Sequence, residues 1–218
     1  MKPKPLSDLS GKELRKREIL DAAFGVFTES GYRAATMLEI AGRARASKAT
    51  LYSCFRNKRD LFEALLRSHV DRINLRLSLD FAQKADPYEI LHDLAHSILT
   101  ITTRPEWVAL MRTVIAEAPR FPELREIMRE FLNRDRLITF LKLCRKRGLM
   151  KFEDASETAS MFDALIDSGW MPRSLFGLIP EVKQKRIPHY ADFAARMFLK
   201  AVAPSGRLLV ASRSKRSG

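Results

Sequence analysis

Lys48, Thr50 and Tyr52 put an ammonium, a hydroxyl with a methyl, and a phenol on one short stretch, SKATLYSCF. In that stretch Leu51 and Phe55 stand four residues apart, the spacing of one helix face. If those two pack inward, Lys48, Ala49, Thr50, Tyr52 and Ser53 are left to face outward. Such groups suit a nucleic acid: Ser47 and Lys48 at the start of the stretch can reach base edges, the Thr50 methyl and hydroxyl suit a thymine methyl or a phosphate, the Tyr52 phenol can donate to a phosphate, and a small alanine permits close approach. Arg43, Arg45, Arg56 and Lys58 lie around them and would add salt-dependent attraction to a polyanion. Other chemistries find less support. The sequence has no nucleophile–base–acid constellation, no phosphate-cradling glycine loop and no metal cluster, so neither an enzyme nor a cofactor is expected. His92 and His96 stand at i, i+4 and could bind a metal on one helix face, but no carboxylate or cysteine spacing supports them.

Two short helices and a tight turn would position these groups. Thr36 followed by Glu39 reads as a capping box, and Met37, Ile40, Ala41 and Ala44 recur at i, i+3, i+4 and i+7. Ser47 caps the next helix, and the pair has the layout of a DNA-reading helix-turn-helix. Behind it, Ser10 and Glu13 open a scaffold helix with the stripe Ile19, Leu20, Ala23, Phe24 and Phe27. Ser30-Gly31 is expected to end that helix, with the glycine at the left-handed C′ position. Asn57 caps a long helix running to about residue 80. Further helices are expected from Asp86-Pro87, from Glu106, from Phe121-Pro122 through to Gly148 as one long helix, from Asp154 until Pro172 stops it, and over 188–203. The total is about nine helices in an all-α chain.

Bulk properties fit this. The 218 residues are 46% hydrophobic, with 9 glycines and no alternating β-branched runs, which points to a helical globular protein. No apolar run is long enough to span a membrane, and the first residues lack the apolar core of a signal peptide. Two cysteines about ninety positions apart fit a reducing compartment, so cytoplasm is the expectation. The net charge of +13 is uneven: +6 in residues 1–60, +3 in 61–203 and +4 in the last fifteen. A polyanion docking on the first sixty residues explains that distribution.

The same stretch resembles the TetR/AcrR family of transcriptional regulators. The resemblance runs from Arg17-Glu18-Ile19-Leu20-Asp21-Ala22-Ala23 through Phe27, Gly31-Tyr32, Ile40-Ala41, Ala44, Ser47-Lys48, Thr50-Leu51-Tyr52 and Phe55 to Asn57-Lys58. From Trp107 to Trp170 the chain also looks, more loosely, like the effector-binding region of AefR-like members. Lys2, Pro3, Lys4 and Pro5 read as a flexible basic arm at 1–9, and the resemblance implies a three-helix helix-turn-helix DNA-binding domain at 10–57. An effector-binding and dimerisation bundle follows at 58–203, and a disordered basic tail at 204–218. It implies DNA contacts from Thr36, Arg43, Arg45, Ser47, Lys48, Ala49, Thr50, Tyr52, Ser53 and Lys58. It also implies a homodimer through helices at about 155–171 and 188–203, and a small hydrophobic effector. Trp107, Met111, Met128, Phe131, Phe140, Phe162 and Trp170 are the candidates to meet that effector, or else simply form core.

Two departures stand out. The turn that is commonly Ala-Gly-Val reads Ala44-Arg45-Ala46, so a left-handed Arg45 would cost on the order of 1 kcal/mol. Ser53 and Cys54 replace the aromatic or histidine residues common after Tyr52. The resemblance thus implies a ligand-responsive repressor, with a constitutive DNA binder and an activator of the same fold as the alternatives.

Overall fold

The computed structural model describes residues 10–76, 86–167, 169–178 and 184–204. The arm at 1–9, the end of the long helix beyond residue 76 and the tail from 205 lie outside the described residues. Those described hold eleven α-helices and one short 3₁₀ turn: α1 Gly11–Ala34, α2 Met37–Arg43, α3 Lys48–Cys54, α4 Lys58–Arg76, α5 Pro87–Thr102, α6 Pro105–Glu117, α7 Pro122–Phe131, α8 Asp135–Lys146, α9 Ala155–Asp167, α10 Trp170–Leu175 and α11 Ile187–Ala201, with the 3₁₀ turn Gln184–Arg186 before α11. None of the helices is long and apolar enough to cross a membrane.

The chain forms two compact units. The first comprises Met1–Arg76 and Arg104–Asn133, and the second Leu77–Thr103 and Arg134–Gly218. In the first, α1 packs on α2, α4 and α6, and α4 packs on α7. Its core takes Ile19, Ala23, Val26 and Phe27 from α1, Leu61, Phe62, Leu65 and Leu66 from α4, Leu110 and Val114 from α6, and Leu124 and Ile127 from α7. Tyr32 stands within a ring cluster with Phe27, Phe62 and Phe121, at centroid distances of 5.2–5.7 Å. Burial pushes its phenol pKa up, and the nearby Glu117 carboxylate adds to this. In the second unit α11 packs on α5 and α9, around Leu91, Ala95, Phe162, Ala191, Ala194 and Phe198.

Three expected boundaries move, each for a physical reason. Gly31 takes φ 74°, ψ 170°, which is not the left-handed helical cap: the chain kinks there and helical turns resume as far as Ala34. The single helix expected over Phe121–Gly148 is broken between Phe131 and Asp135. Its first stripe is Leu124, Ile127, Met128 and Phe131; its second is Leu137, Phe140, Leu141 and Cys144. At about 100° per residue, position 137 falls roughly 220° round from position 124, so one straight helix would aim the two stripes in nearly opposite directions. The break lets α7 bury its stripe in the first unit and α8 bury its own in the second. Finally, Pro172 does not stop a helix. It sits in the first turn of α10, where a missing N–H costs nothing.

Candidate nucleic-acid interface

The short helix α3 is fixed from beneath and capped at its start. Leu51 is wholly buried and Phe55 nearly so. Lys16 of α1 lies 5.5 Å from the Phe55 ring centroid. Ser47, in extended backbone, accepts from the Thr50 N–H at 3.0 Å, and its hydroxyl lies 2.8 Å from that of Thr50. The Ser53 hydroxyl donates back to the Thr50 carbonyl at 2.8 Å. Lys48, Ala49, Tyr52 and Ser53 are exposed, Thr50 is half-buried, and the Lys48 ammonium lies 6.0 Å from the centre of the Tyr52 ring.

Helix α2 starts at Thr36, whose hydroxyl accepts from the Glu39 N–H at 3.1 Å. It ends in a Schellman motif: Arg45 N–H donates to Gly42 O at 3.0 Å and Ala46 N–H to Ala41 O at 2.9 Å. Arg45 occupies the C′ position with φ 50°, the one described non-glycine residue with positive φ. The same hydrogen-bond pattern closes α8 at Gly148, φ 67°, and α10 at Gly177, φ 68°. Where two turns of this chain use glycine, the one beside α3 uses arginine. Its carbonyl is held by Arg15 of α1, which donates at 2.5 Å.

The cations of this region differ in what they already hold. Arg43 donates twice to Glu29 of α1, at 2.7 and 2.5 Å. That hydrogen bonding keeps the Glu29 carboxyl below its ordinary range and the Arg43 guanidinium above its own. The Arg43 guanidinium also lies over Gly25, where a Cβ would stand 2.9 Å from its Cζ. Lys58 donates to the carbonyls of Arg33 and Ala35 at 3.1 and 2.8 Å and stands 4.7 Å over the Tyr32 ring, so it ties the end of α1 to α4. Arg56 pairs with Asp60 at 2.7 Å. Among the described residues, the exposed Arg45 and Lys48 side chains form no ion pair. Glu29 and Arg15 are participants that sequence reading did not single out: their partners stand 14 and 30 residues away, with no local pattern to betray them. Leu38, 74% exposed on the first turn of α2, was also missed, because it lies off the Met37–Ala44 stripe.

The aromatic and methionine candidates separate by unit. Trp107 and Met111 on α6 are buried, Met128 and Phe131 on α7 are half-buried, and the Trp107 and Phe131 rings lie 5.2 Å apart. These four belong to the first unit. Phe140 and Phe162 are members of the second unit's core, against which Trp170 packs; Phe162 meets Phe198 edge-on at 4.9 Å. The His92 and His96 rings are 6.2 Å apart, and no group of three potential metal ligands occurs among the described residues.

A capped, outward-facing α3 set on α1 and α2 defines a helix-turn-helix DNA-binding protein. Residues 19–65 match the bacterial regulatory proteins of the tetR family, and residues 89–204 match the AefR-like transcriptional repressor C-terminal domain. The chain belongs to the TetR family and is a DNA-binding transcriptional regulator. It is 28% identical over 199 residues to the uncharacterized HTH-type transcriptional regulator YvkB of Bacillus subtilis, spanning 86% of this chain and 96% of that one. The structure of the flavonoid-responsive regulator FrrA is 28% identical, with a TM-score of 0.68, covering 88% of this chain and 98% of that one. A TetR regulator from Agrobacterium tumefaciens is 26% identical, with a TM-score of 0.69, over 88% of this chain and 96% of that one.

Proposed function

We propose that this protein is a homodimeric cytoplasmic repressor that leaves its operator when a small hydrophobic effector binds. The observation that carries the DNA reading is α3 itself. Leu51 and Phe55 hold it from below, so Lys48, Ala49, Thr50 and Tyr52 are free to meet a major groove. In this reading Ser47 and Thr50 touch base edges, Lys48, Tyr52 and Arg45 meet phosphates, and Thr36 offers its N–H at the start of α2. Ser53 adds a hydroxyl at the rim. Arg43 and Lys58 act instead by holding α2 and α4 to α1, since their charged groups are already engaged.

Dimerisation is supported by exposed apolar side chains on two helices that pack together: Met161 on α9 is 54% exposed, and Phe193 and Met197 on α11 are 48% and 40% exposed. Large exposed side chains on neighbouring helices suit burial against a symmetry mate. Effector response is supported by the match to an AefR-like repressor domain and by the name of FrrA, a flavonoid-responsive protein. The effector favours a conformer whose two reading helices no longer fit successive grooves, and operator affinity falls accordingly.

The test is footprinting upstream of its own and neighbouring genes, then a gel shift on the protected site with a panel of hydrophobic compounds. The reading requires specific retention of that site by a dimer, and its loss with at least one compound. Retention that no compound changes would leave a constitutive DNA binder.

A further inference from the structure

Among the described residues, buried polar side chains almost all find partners within the chain. Thr102, Thr103 and Thr113 donate to carbonyls one turn back at 2.8, 2.6 and 3.2 Å, and Thr158 donates to Asp154. Glu117, 4% exposed, accepts from Arg33 at 3.3 Å. Three buried side-chain atoms among the described residues reach no partner: one oxygen of Glu123, and the indole nitrogens of Trp107 and Trp170. The Glu123 carboxylate is already paired with Arg59 through its other oxygen. The two donors left over are therefore those of the chain's only two tryptophans.

Trp107 is the more deeply placed, 3% exposed on α6. Nothing among the described residues accepts from its indole N–H; the Phe131 ring is 5.2 Å away at 49°, and Met111 follows one turn along the same helix. A buried donor without an acceptor is costly, and natural cores avoid it unless something else satisfies the group. Aromatic and thioether neighbours would receive an apolar body, and the indole N–H would receive an oxygen from it.

We infer that Trp107 is a ligand-binding residue, and that the effector is an aromatic molecule bearing a hydrogen-bond acceptor oxygen which takes the indole N–H. This rests on the effector-responsive reading above, and narrows it to one donor and one chemical class. The oxygen can belong to a carboxylate or to a neutral carbonyl, so three probes with the same number of heavy atoms separate the sources: 2-naphthoate, 2-acetonaphthone and 2-isopropylnaphthalene.

With only two indole N–H resonances in a ¹⁵N-correlated spectrum, the Trp107→Phe variant assigns the one belonging to Trp107. The expected result is a downfield shift of that resonance with the acid, the ketone or both, and none with the hydrocarbon. Calorimetry should give the shifting probe about tenfold tighter binding than the hydrocarbon, which corresponds to about 1.4 kcal/mol. Trp107→Phe should erase that preference, so that the three probes bind the variant with equal affinity. Equal binding of all three probes to wild type, no binding by any, or a preference that survives in Trp107→Phe would each overturn the inference. The wild-type comparison stands even if the variant folds poorly. A compound that released the operator equally from wild type and Trp107→Phe would leave the effector reading intact while removing this one.

Discussion

Arg45→Gly should make the protein more stable and its grip on DNA weaker. Arg45 sits at φ 50° in a hydrogen-bond pattern that the chain elsewhere builds with Gly148 and Gly177, at φ 67° and 68°. For a residue with a Cβ the left-handed conformation costs about 1 kcal/mol, because Cβ crowds the following carbonyl. Glycine removes that cost but has more freedom to lose on folding, which takes back roughly 0.5 kcal/mol. The bond from Arg15 goes to the backbone carbonyl of residue 45 and survives the change. The net gain is roughly 0.5 kcal/mol, a rise of about 1–2 °C in melting temperature for a chain of this size. Differential scanning calorimetry of Arg45→Gly beside Arg45→Ala measures it, since alanine keeps the Cβ and should gain nothing. Equal melting temperatures for the two variants would refute the strain assignment. Both should bind operator more weakly than wild type; unchanged affinity would show that the Arg45 charge faces no phosphate.

Leu51→Ala empties a wholly buried site under α3 and should cost about 2–5 kcal/mol, with operator binding lost together with the first unit's cooperative melting. The Arg43 bonds hold the Glu29 carboxyl below its ordinary range, so this pair's stabilisation is fully present above the unfolded carboxylate's pKa and fades as pH falls through the lower folded one. Glu29→Gln should accordingly lower the melting temperature modestly at pH 7, change little at acid pH where the wild-type carboxyl is already protonated, and so flatten the acid limb of the profile. Phe193→Glu on α11 should shift the protein from dimer to monomer in analytical ultracentrifugation and leave its helical circular dichroism near wild type; a persistent dimer would place the interface elsewhere.

What the sequence revealed depends on how local the cause was. Leu51 and Phe55, or Ile40 and Ala41, could be read because helix periodicity and core burial are the same fact seen twice. Ser10, Thr36, Ser47 and Asp154 could be read because a cap is a bond between residues three apart. The strained turn at Arg45 was visible as an arginine standing where a glycine belongs. The break between α7 and α8 was also present, as two stripes out of phase, though no proline or glycine between Glu123 and Arg147 marked it. The fates of Arg43 and Lys58 had no local sign, because Glu29 and the carbonyls of Arg33 and Ala35 reach them only through the packing of α1 against α2 and α4.

That last distinction sets the size of the salt effect. The basic residues among the DNA contacts that the resemblance implies are Arg43, Arg45, Lys48 and Lys58, or eight charges in a dimer. Neutralising all of them would give log K against log salt a slope of roughly −7. Only Arg45 and Lys48 keep their charged groups out of ion pairs and carbonyl bonds within the described residues, so four charges remain and the expected contribution is nearer −4. Single variants apportion it more cleanly than the total, to which Lys2 and Lys4 can add. Arg45→Ala and Lys48→Ala should each make the slope shallower by about 2 in a dimer. Arg43→Ala should weaken binding by loosening α2 from α1 and leave the slope as it is. A slope that fell as much for Arg43→Ala as for Lys48→Ala would mean that Arg43 leaves Glu29 for a phosphate when DNA arrives. The latch between α1 and α2 would then open on binding instead of bracing the reading helix for it.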